Sequence, residues 1–224
     1  MLAIDCGASL GIHTVEWAKY MTGWGVVVAF EAQERIYYAL AGNIAINNCF
    51  NARAINAAVS NRSGSMKIPQ PNYLANASVG SLELKKIDRT EFIGQSIDYA
   101  ENKMANVPMV HLDSFSFPRL DILKIDVEGI ELEVIEGAAT CIGKYRPIML
   151  VEALKTDPGA LQVRLESLGY TVFPDGLTSS PSTKKTSVWK GSSSHPRKRR
   201  RRRGVYHTPL PWMAPRMPIA DKNS

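Results

Sequence analysis

Residues 120–138 read Leu120-Asp-Ile-Leu-Lys-Ile-Asp-Val-Glu-Gly129-Ile-Glu-Leu-Glu-Val-Ile-Glu-Gly-Ala138. The apolar run Leu120–Val127 is of the kind a strand buried on both faces shows. It ends in two carboxylates, Asp126 and Glu128, and then a glycine. Glu131–Cys141 follows as an amphipathic helix with Leu132, Ile135 and Ala139 on one side; Gly137 weakens that helix without excluding it. The rest of the chain alternates in the same way, without an internal sequence repeat. Leu2–Cys6, Val26–Phe30 and Arg53–Ser60 read as strands, as do Ile148–Val151 and Gly169–Phe173. Helical spacing fills 13–22 (Val15, Trp17, Ala18, Met21) and 33–47 (Ile36, Leu40, Ile44), and Pro158–Leu168 reads as a further helix. Strands alternating with helices of this length predict an α/β fold, a mostly parallel sheet with helices on both faces.

The chain of 224 residues is 45% hydrophobic and 21% charged, enough to bury a sizeable core. No apolar run approaches the roughly 18–20 residues that span a bilayer. The opening Met-Leu-Ala-Ile-Asp-Cys-Gly has neither the basic start nor the cleavage pattern of a secretory signal. Cys6, Cys49 and Cys141 are scattered, which predicts a reduced, cytoplasmic setting and no structural zinc. The composition divides the chain into a domain over 1–173 and a tail over 174–224. The tail holds 12 Lys/Arg against 2 Asp/Glu, and the body 15 against 19, so the net charge of +6 belongs to the tail alone. Arg197–Arg203 is an unbroken basic run; like charges so dense predict disorder, and nucleic acid could be held only through 184–203. No aromatic side chains interleave with that run to stack on bases. Within the body, 61–118 is irregular and predicts a small hairpin-rich insertion over the carboxyl ends of the strands, where α/β ligands bind.

Asp5-Cys-Gly-Ala-Ser-Leu-Gly11 joins the first strand to the first helix. Glycines there permit a tight turn and close approach to a ligand, with helix amides pointing outward. Glu31 ends the second strand, where a carboxylate accepts hydrogen bonds from both ribose hydroxyls. A dinucleotide fingerprint would need a second glycine at Ser9 and a third at Ile12, and no triphosphate-binding loop is present. Asp5 suits a ligand with an ammonium better than one with phosphates. S-adenosylmethionine has an ammonium, a ribose and no phosphate. The alternative is a βα turn whose glycines serve packing.

The 120–138 stretch resembles the signature of the FkbM-type family of S-adenosylmethionine-dependent methyltransferases, close to "DLLKIDVEGAELEVLKGA". "IDCGASLGIHTVEWAK" is similar to that family's opening turn, "VVVAFEAQ" to its second strand and "RPIMLVE" to the strand after the signature helix. "GSLEL" and "IGQSID" resemble insertion segments of some members. The resemblance covers about residues 2–173, with Ser9 in place of the usual Asn. It implies a class I methyltransferase fold, Rossmann-like, and a methyl acceptor that is a small molecule or saccharide hydroxyl. The family's usual lead-in helix, which helps close the cofactor pocket, is missing before the first strand, so a truncated or mis-started chain with weakened binding is one expectation.

By that resemblance Asp5, Gly7, Ala8, Ser9 and Gly11 line the methionine part of the cofactor, with His13 and Thr14 beside them. Glu31 holds the ribose, Ala32 is a further cofactor-binding residue, and Asn56 and Ala57 approach the adenine. Asp126 serves the cofactor's ammonium or the acceptor; Asp126 and Glu128 are the candidate catalytic residues, although either could instead cap the following helix. Glu131, Glu133 and Glu136 read as a solvated outer face. A Mg²⁺ site is not expected, because no Asn or third Asp is placed to complete one. His111 is a weaker candidate base, and Glu152 a candidate for acceptor binding. Two rivals remain: an idle Rossmann-like module that binds nucleic acid through its tail, and a nucleic-acid methyltransferase. Against the second, Asp126-Val-Glu-Gly stands where an Asn/Asp-Pro-Pro-aromatic motif would grip a base amine.

Overall fold

The computed structural model describes residues 1–86, 92–175 and 186–191. Strands β1 (Leu2–Cys6), β2 (Val26–Glu31) and β3 (Ala52–Asn56) alternate with helices α1 (Ile12–Tyr20) and α2 (Glu34–Ile46). A short strand β4 (Ala58–Val59) then leaves the main sheet to join β5 (Gly64–Pro69) and β6 (Met104–Val110). The second half runs β7 (Ile122–Ile125), α3 (Glu131–Glu136), α4 (Ala139–Tyr145), β8 (Ile148–Glu152), α5 (Pro158–Ser167), β9 (Tyr170–Asp175) and β10 (Thr186–Gly191). The main sheet has the order β3-β2-β1-β7-β8-β10-β9, with β10 antiparallel to both neighbours and β1, β2, β3, β7 and β8 parallel.

The parallel core follows from the apolar runs. All five residues of β1 are buried, as are Val27–Glu31 of β2 and Leu123–Ile125 of β7. Such strands cannot face water on either side, so helices must cover both faces. Ala18 and Met21, at the end of α1, pack with Ala3, Val27 and Ala52 on one face. Val134, Ile135, Leu161 and Leu165 pack with Leu2, Ile4, Phe30 and Met149 in the larger core on the other. Asp157 caps α5, accepting from the Gly159 and Ala160 amides, with Pro158 at the first helical position.

Three expectations are corrected. The single helix over 131–141 breaks at Gly137, which ends α3. A Cβ built there would lie 2.1 Å from the Ser60 carbonyl oxygen and 2.9 Å from the His111 Cβ, so the chain passes at a spacing only glycine permits. Among its described residues the insertion contains one antiparallel pair, β5 with β6, rather than several hairpins. Within it Leu82, Glu83 and Leu84 are buried together. Finally, the domain does not end at 173: Thr186–Gly191, inside the expected tail, pairs with both β8 and β9. The Arg197–Arg203 run lies outside the described residues. Among the described residues no helix is long and apolar enough to cross a membrane.

Candidate functional site

A pocket opens at the carboxyl ends of β1, β2 and β7, under the insertion. Gly7, Ser9, Glu31, Ala32, Ala57, Asp126 and Glu128 all line it, joined from the insertion by Ser78, Gly80, Ser81, Leu82 and Leu84. Residues distant in sequence thus meet where parallel strands end, as α/β folds place ligands.

Glu31 lines the pocket at the carboxyl end of β2. Its carboxylate accepts the Ser9 amide at 2.9 Å and the Gln33 amide at 2.8 Å. Burial pushes its pKa above the ordinary carboxylate value; the two amides pull downward without offsetting this. Ser9 has φ 49°, the left-handed region that asparagine tolerates better than serine, which gives the family's usual Asn a physical reason. Gly7 (φ 73°) has no room for a side chain: its Cβ would lie 1.7 Å from the Asp126 carbonyl oxygen.

The turn's amides are used within the protein, against the expectation of outward-pointing donors. Gly7 and Ala8 both donate to the Phe30 carbonyl (3.0 and 2.9 Å), and Gly11 to the Ala8 carbonyl (2.9 Å). With Ser9 committed to Glu31, those four amides leave no nest for a phosphate. A carboxylate facing the pocket and a phosphate-free turn fit a ribose-bearing ligand without phosphates.

Beneath the turn, Asp5 is wholly buried and does not line the pocket. Its carboxylate accepts the Thr14 hydroxyl at 2.7 Å and lies 3.3 Å from the Lys124 ammonium. Lys124 is also 3.2 Å from an Asp126 carboxylate oxygen and donates to the Gly7 carbonyl at 3.2 Å. Burial works against this ammonium's charge, but Asp5 and Asp126 outweigh burial and hold its pKa above the usual lysine value. The ammonium that Asp5 faces is therefore that of Lys124, from the chain itself.

Glu128 has φ 59°, a left-handed conformation that costs a non-glycine residue roughly 1 kcal/mol or more. One of its carboxylate oxygens is 2.8 Å from the Lys155 ammonium. Glu131 buttresses the same turn: it is buried, accepting the Gly129 amide at 3.0 Å and the Thr156 hydroxyl. Of the three carboxylates expected on an outer face, Glu131 is therefore a buried brace, because a left-handed turn leaves amides that need an acceptor. Glu133 accepts the Ser60 hydroxyl at 2.6 Å and pairs with Lys85, while Glu136 is exposed. Glu152, at the end of β8, brings a carboxylate oxygen within 4.8 Å of those of Asp126 and Glu128. No Asn or third Asp joins Asp126 and Glu128 there; the third carboxylate is that of Glu152. Lys124 and Lys155 already set two positive charges against this group.

The remaining expected residues lie outside the pocket. Ala8 packs with Ala29 and Leu40, and Gly11 precedes α1, where a Cβ would lie 2.6 Å from the Leu40 side chain. Thr14 holds Asp5, and His13 is exposed, its ring stacked 5.6 Å from Trp17. The Asn56 amide donates to the Glu31 and Ala32 carbonyls at 2.9 and 3.2 Å, binding β3 to β2 rather than turning to the pocket. His111 meets the Ser63 hydroxyl at 3.0 Å and takes no part in the site. Lys124 and Lys155 were missed. A lysine within the buried run Leu123–Ile125 was the available signal, since it must find counter-charge. No comparable signal marks Lys155.

A model of the methyltransferase FkbM domain matches residues 5–172. The chain is 24% identical over 153 residues to methyltransferase sdnD of Sordaria araneosa, covering 60% of this chain and 59% of that protein. The crystal structure of methyltransferase FkbM from Methylobacillus flagellatus KT superposes with a TM-score of 0.58 at 16% identity, over 85% of this chain and 43% of that one. The chain thus spans about half the length of the relatives it matches. The shared architecture is the Rossmann-like fold of class I methyltransferases, whose cofactor is S-adenosylmethionine. With the family model extending from the glycine turn to β9, the chain belongs to the FkbM methyltransferase family.

Proposed function

We propose that the protein methylates a hydroxyl oxygen of an uncharged small molecule or saccharide, with S-adenosylmethionine as donor. The observation that carries this reading is the pocket's charge pattern. Glu31, Asp126 and Glu128 line the pocket, with Glu152 beside the last two. The nearby glycine turn offers no phosphate nest. Such a lining attracts a cationic donor and repels a polyanion, which favours a neutral acceptor over nucleic acid.

In this reading Glu31 holds the ribose hydroxyls, Gly7 and Ser9 line the methionine part, and Ala32 and Ala57 border the adenine. When bound, S-adenosylmethionine supplies a methyl group activated on a sulfonium. The protein's task is to hold the acceptor oxygen in line, about 3 Å from that carbon, and to take its proton. Asp126 is the base, with Lys124 balancing its charge, and Glu128 orients the acceptor. Asp5 and Thr14 act from below, as the footing of Lys124. Free, buried Cys6, Cys49 and Cys141 support a reducing, cytoplasmic setting.

The test is calorimetric binding of S-adenosylmethionine and S-adenosylhomocysteine, with Glu31→Ala alongside. Hydrogen bonds to a charged group contribute about 1.5–3 kcal/mol, so the variant should bind at least about tenfold more weakly. A screen of neutral hydroxyl compounds, read as released S-adenosylhomocysteine, then identifies the acceptor. A folded wild-type protein that binds neither ligand refutes the reading.

A further inference from the structure

The pocket's far wall comes from the insertion, and one side chain connects it to the signature turn. Lys155 lies between β8 and α5, with its side chain 8% exposed. Its ammonium donates to the Ser81 carbonyl at 2.5 Å and lies 3.6 Å from Glu83 and 2.8 Å from Glu128. Ser81 and Leu82 form the wall; Glu128 forms the floor. Three segments far apart in sequence therefore converge on one buried charge. Its chain neighbour Thr156 holds Glu131, which holds the Gly129 amide, so the same loop braces both left-handed residues of the turn.

We propose that Lys155 is a positioning residue for the acceptor half of the site: it fastens the 78–85 wall to Glu128 and keeps Glu128 aimed into the pocket. The inference rests on the methyltransferase reading for its meaning, but not for its test. Other ties hold the wall from outside: Lys85 pairs with Glu133, and the Ser78 amide donates to the Ile93 carbonyl at 2.7 Å. Leu82 and Leu84 are buried besides. Loss of Lys155 should therefore loosen the pocket side of the wall without unfolding the domain. The Lys155 bonds described above go to the wall and to Glu128 rather than to Glu31, so donor binding should be spared.

The experiment compares wild type, Lys155→Met, Lys155→Arg and Glu83→Gln by amide hydrogen exchange and by S-adenosylmethionine calorimetry. Lys155→Met should exchange about tenfold or more faster at 78–86 and 127–130, the factor expected for a lost charge-assisted hydrogen bond. Exchange at β1 and β2 should stay unchanged, with donor affinity within about threefold of wild type. Lys155→Arg should restore much of the protection. Once an acceptor is known, Lys155→Met should raise its KM and lower kcat while leaving the donor's KM in place. Unchanged exchange at 78–86, or acceleration spread evenly over the sheet, overturns the proposal. If Lys155→Met does not fold, Glu83→Gln keeps the ammonium and its bond to the Ser81 carbonyl and removes one of its two ties to the wall; faster exchange at 78–86 then supports the proposal, and unchanged exchange overturns it. Wild type that binds no donor refutes the function proposed above, whereas the exchange comparison still decides the role of Lys155.

Discussion

Replacing Lys124 with methionine keeps the length and much of the volume of the side chain but removes the charge between Asp5 and Asp126. The two carboxylates, at 3.3 and 3.2 Å from the ammonium, have 1% and 23% of their side chains exposed. Removing one partner of a buried ion pair costs about 3–5 kcal/mol. Asp126 reaches solvent and Asp5 keeps the Thr14 hydroxyl, so the lower end applies, about 3 kcal/mol. In a domain of this size that lowers Tm by about 6–12 °C. Thermal and urea unfolding at pH 7 measure it. Adding Asp5→Asn to Lys124→Met should recover part of the loss, because the deeper of the two charges is gone. The pH dependence has a definite sign. The folded pKa of Lys124 is raised, so its contribution is complete below the free lysine value of about 10.4 and fades as pH climbs through the higher folded value. The stability curves of wild type and Lys124→Met should therefore converge only in strong alkali. A variant within about 1 kcal/mol of wild type at pH 7 would refute the view that this ammonium offsets buried charge.

Three other outcomes are expected. Gly7→Ala forces a Cβ to within 1.7 Å of the Asp126 carbonyl at φ 73°, so the β7 turn must move; donor affinity should fall by about tenfold or more, with about 2 kcal/mol or more of stability lost, and calorimetry showing normal affinity would count against the pocket described. Glu31 has a raised pKa, and its protonated form can no longer accept from both ribose hydroxyls. S-adenosylmethionine affinity should therefore drop as pH falls through a value above the ordinary range of about 4.3, while Glu31→Gln binds weakly with a flatter profile; equal slopes would rule this out. A chain ending after Gly191 should keep its circular dichroism and donor binding, whereas one ending at 173 should lose solubility, because it removes the strand that pairs β8 with β9.

The parallel sheet was legible because burial on both faces imposes continuous apolar runs, as Leu2–Cys6 and Val26–Phe30 show. The glycine turn and Glu31 were legible because backbone space and a strand end constrain residue type there. Asn56 was misread: an amide beside two strand-end carbonyls is captured by its own backbone. The insertion wall was not legible, since Leu82, Glu83 and Leu84 bury together and leave no period to read. Lys155 was hidden for a different reason. Its partners lie 27 and more than 70 residues away, and nothing local in Leu154-Lys-Thr156 marks it as buried. β10 escaped because Thr186-Ser-Val-Trp-Lys-Gly191 is short and set in a stretch dominated by serine, proline and basic residues.

The strand order has a consequence for synthesis. Among the described strands of the sheet β10 is the last to leave the ribosome, yet it occupies an interior position between β8 and β9. Until it arrives, β8 presents an open parallel edge and β9 has no neighbour to pair with. A nascent chain halted anywhere between Tyr170 and Thr186 is thus complete in its glycine turn, signature strand and carboxylates, but carries an unprotected edge that invites pairing with another copy.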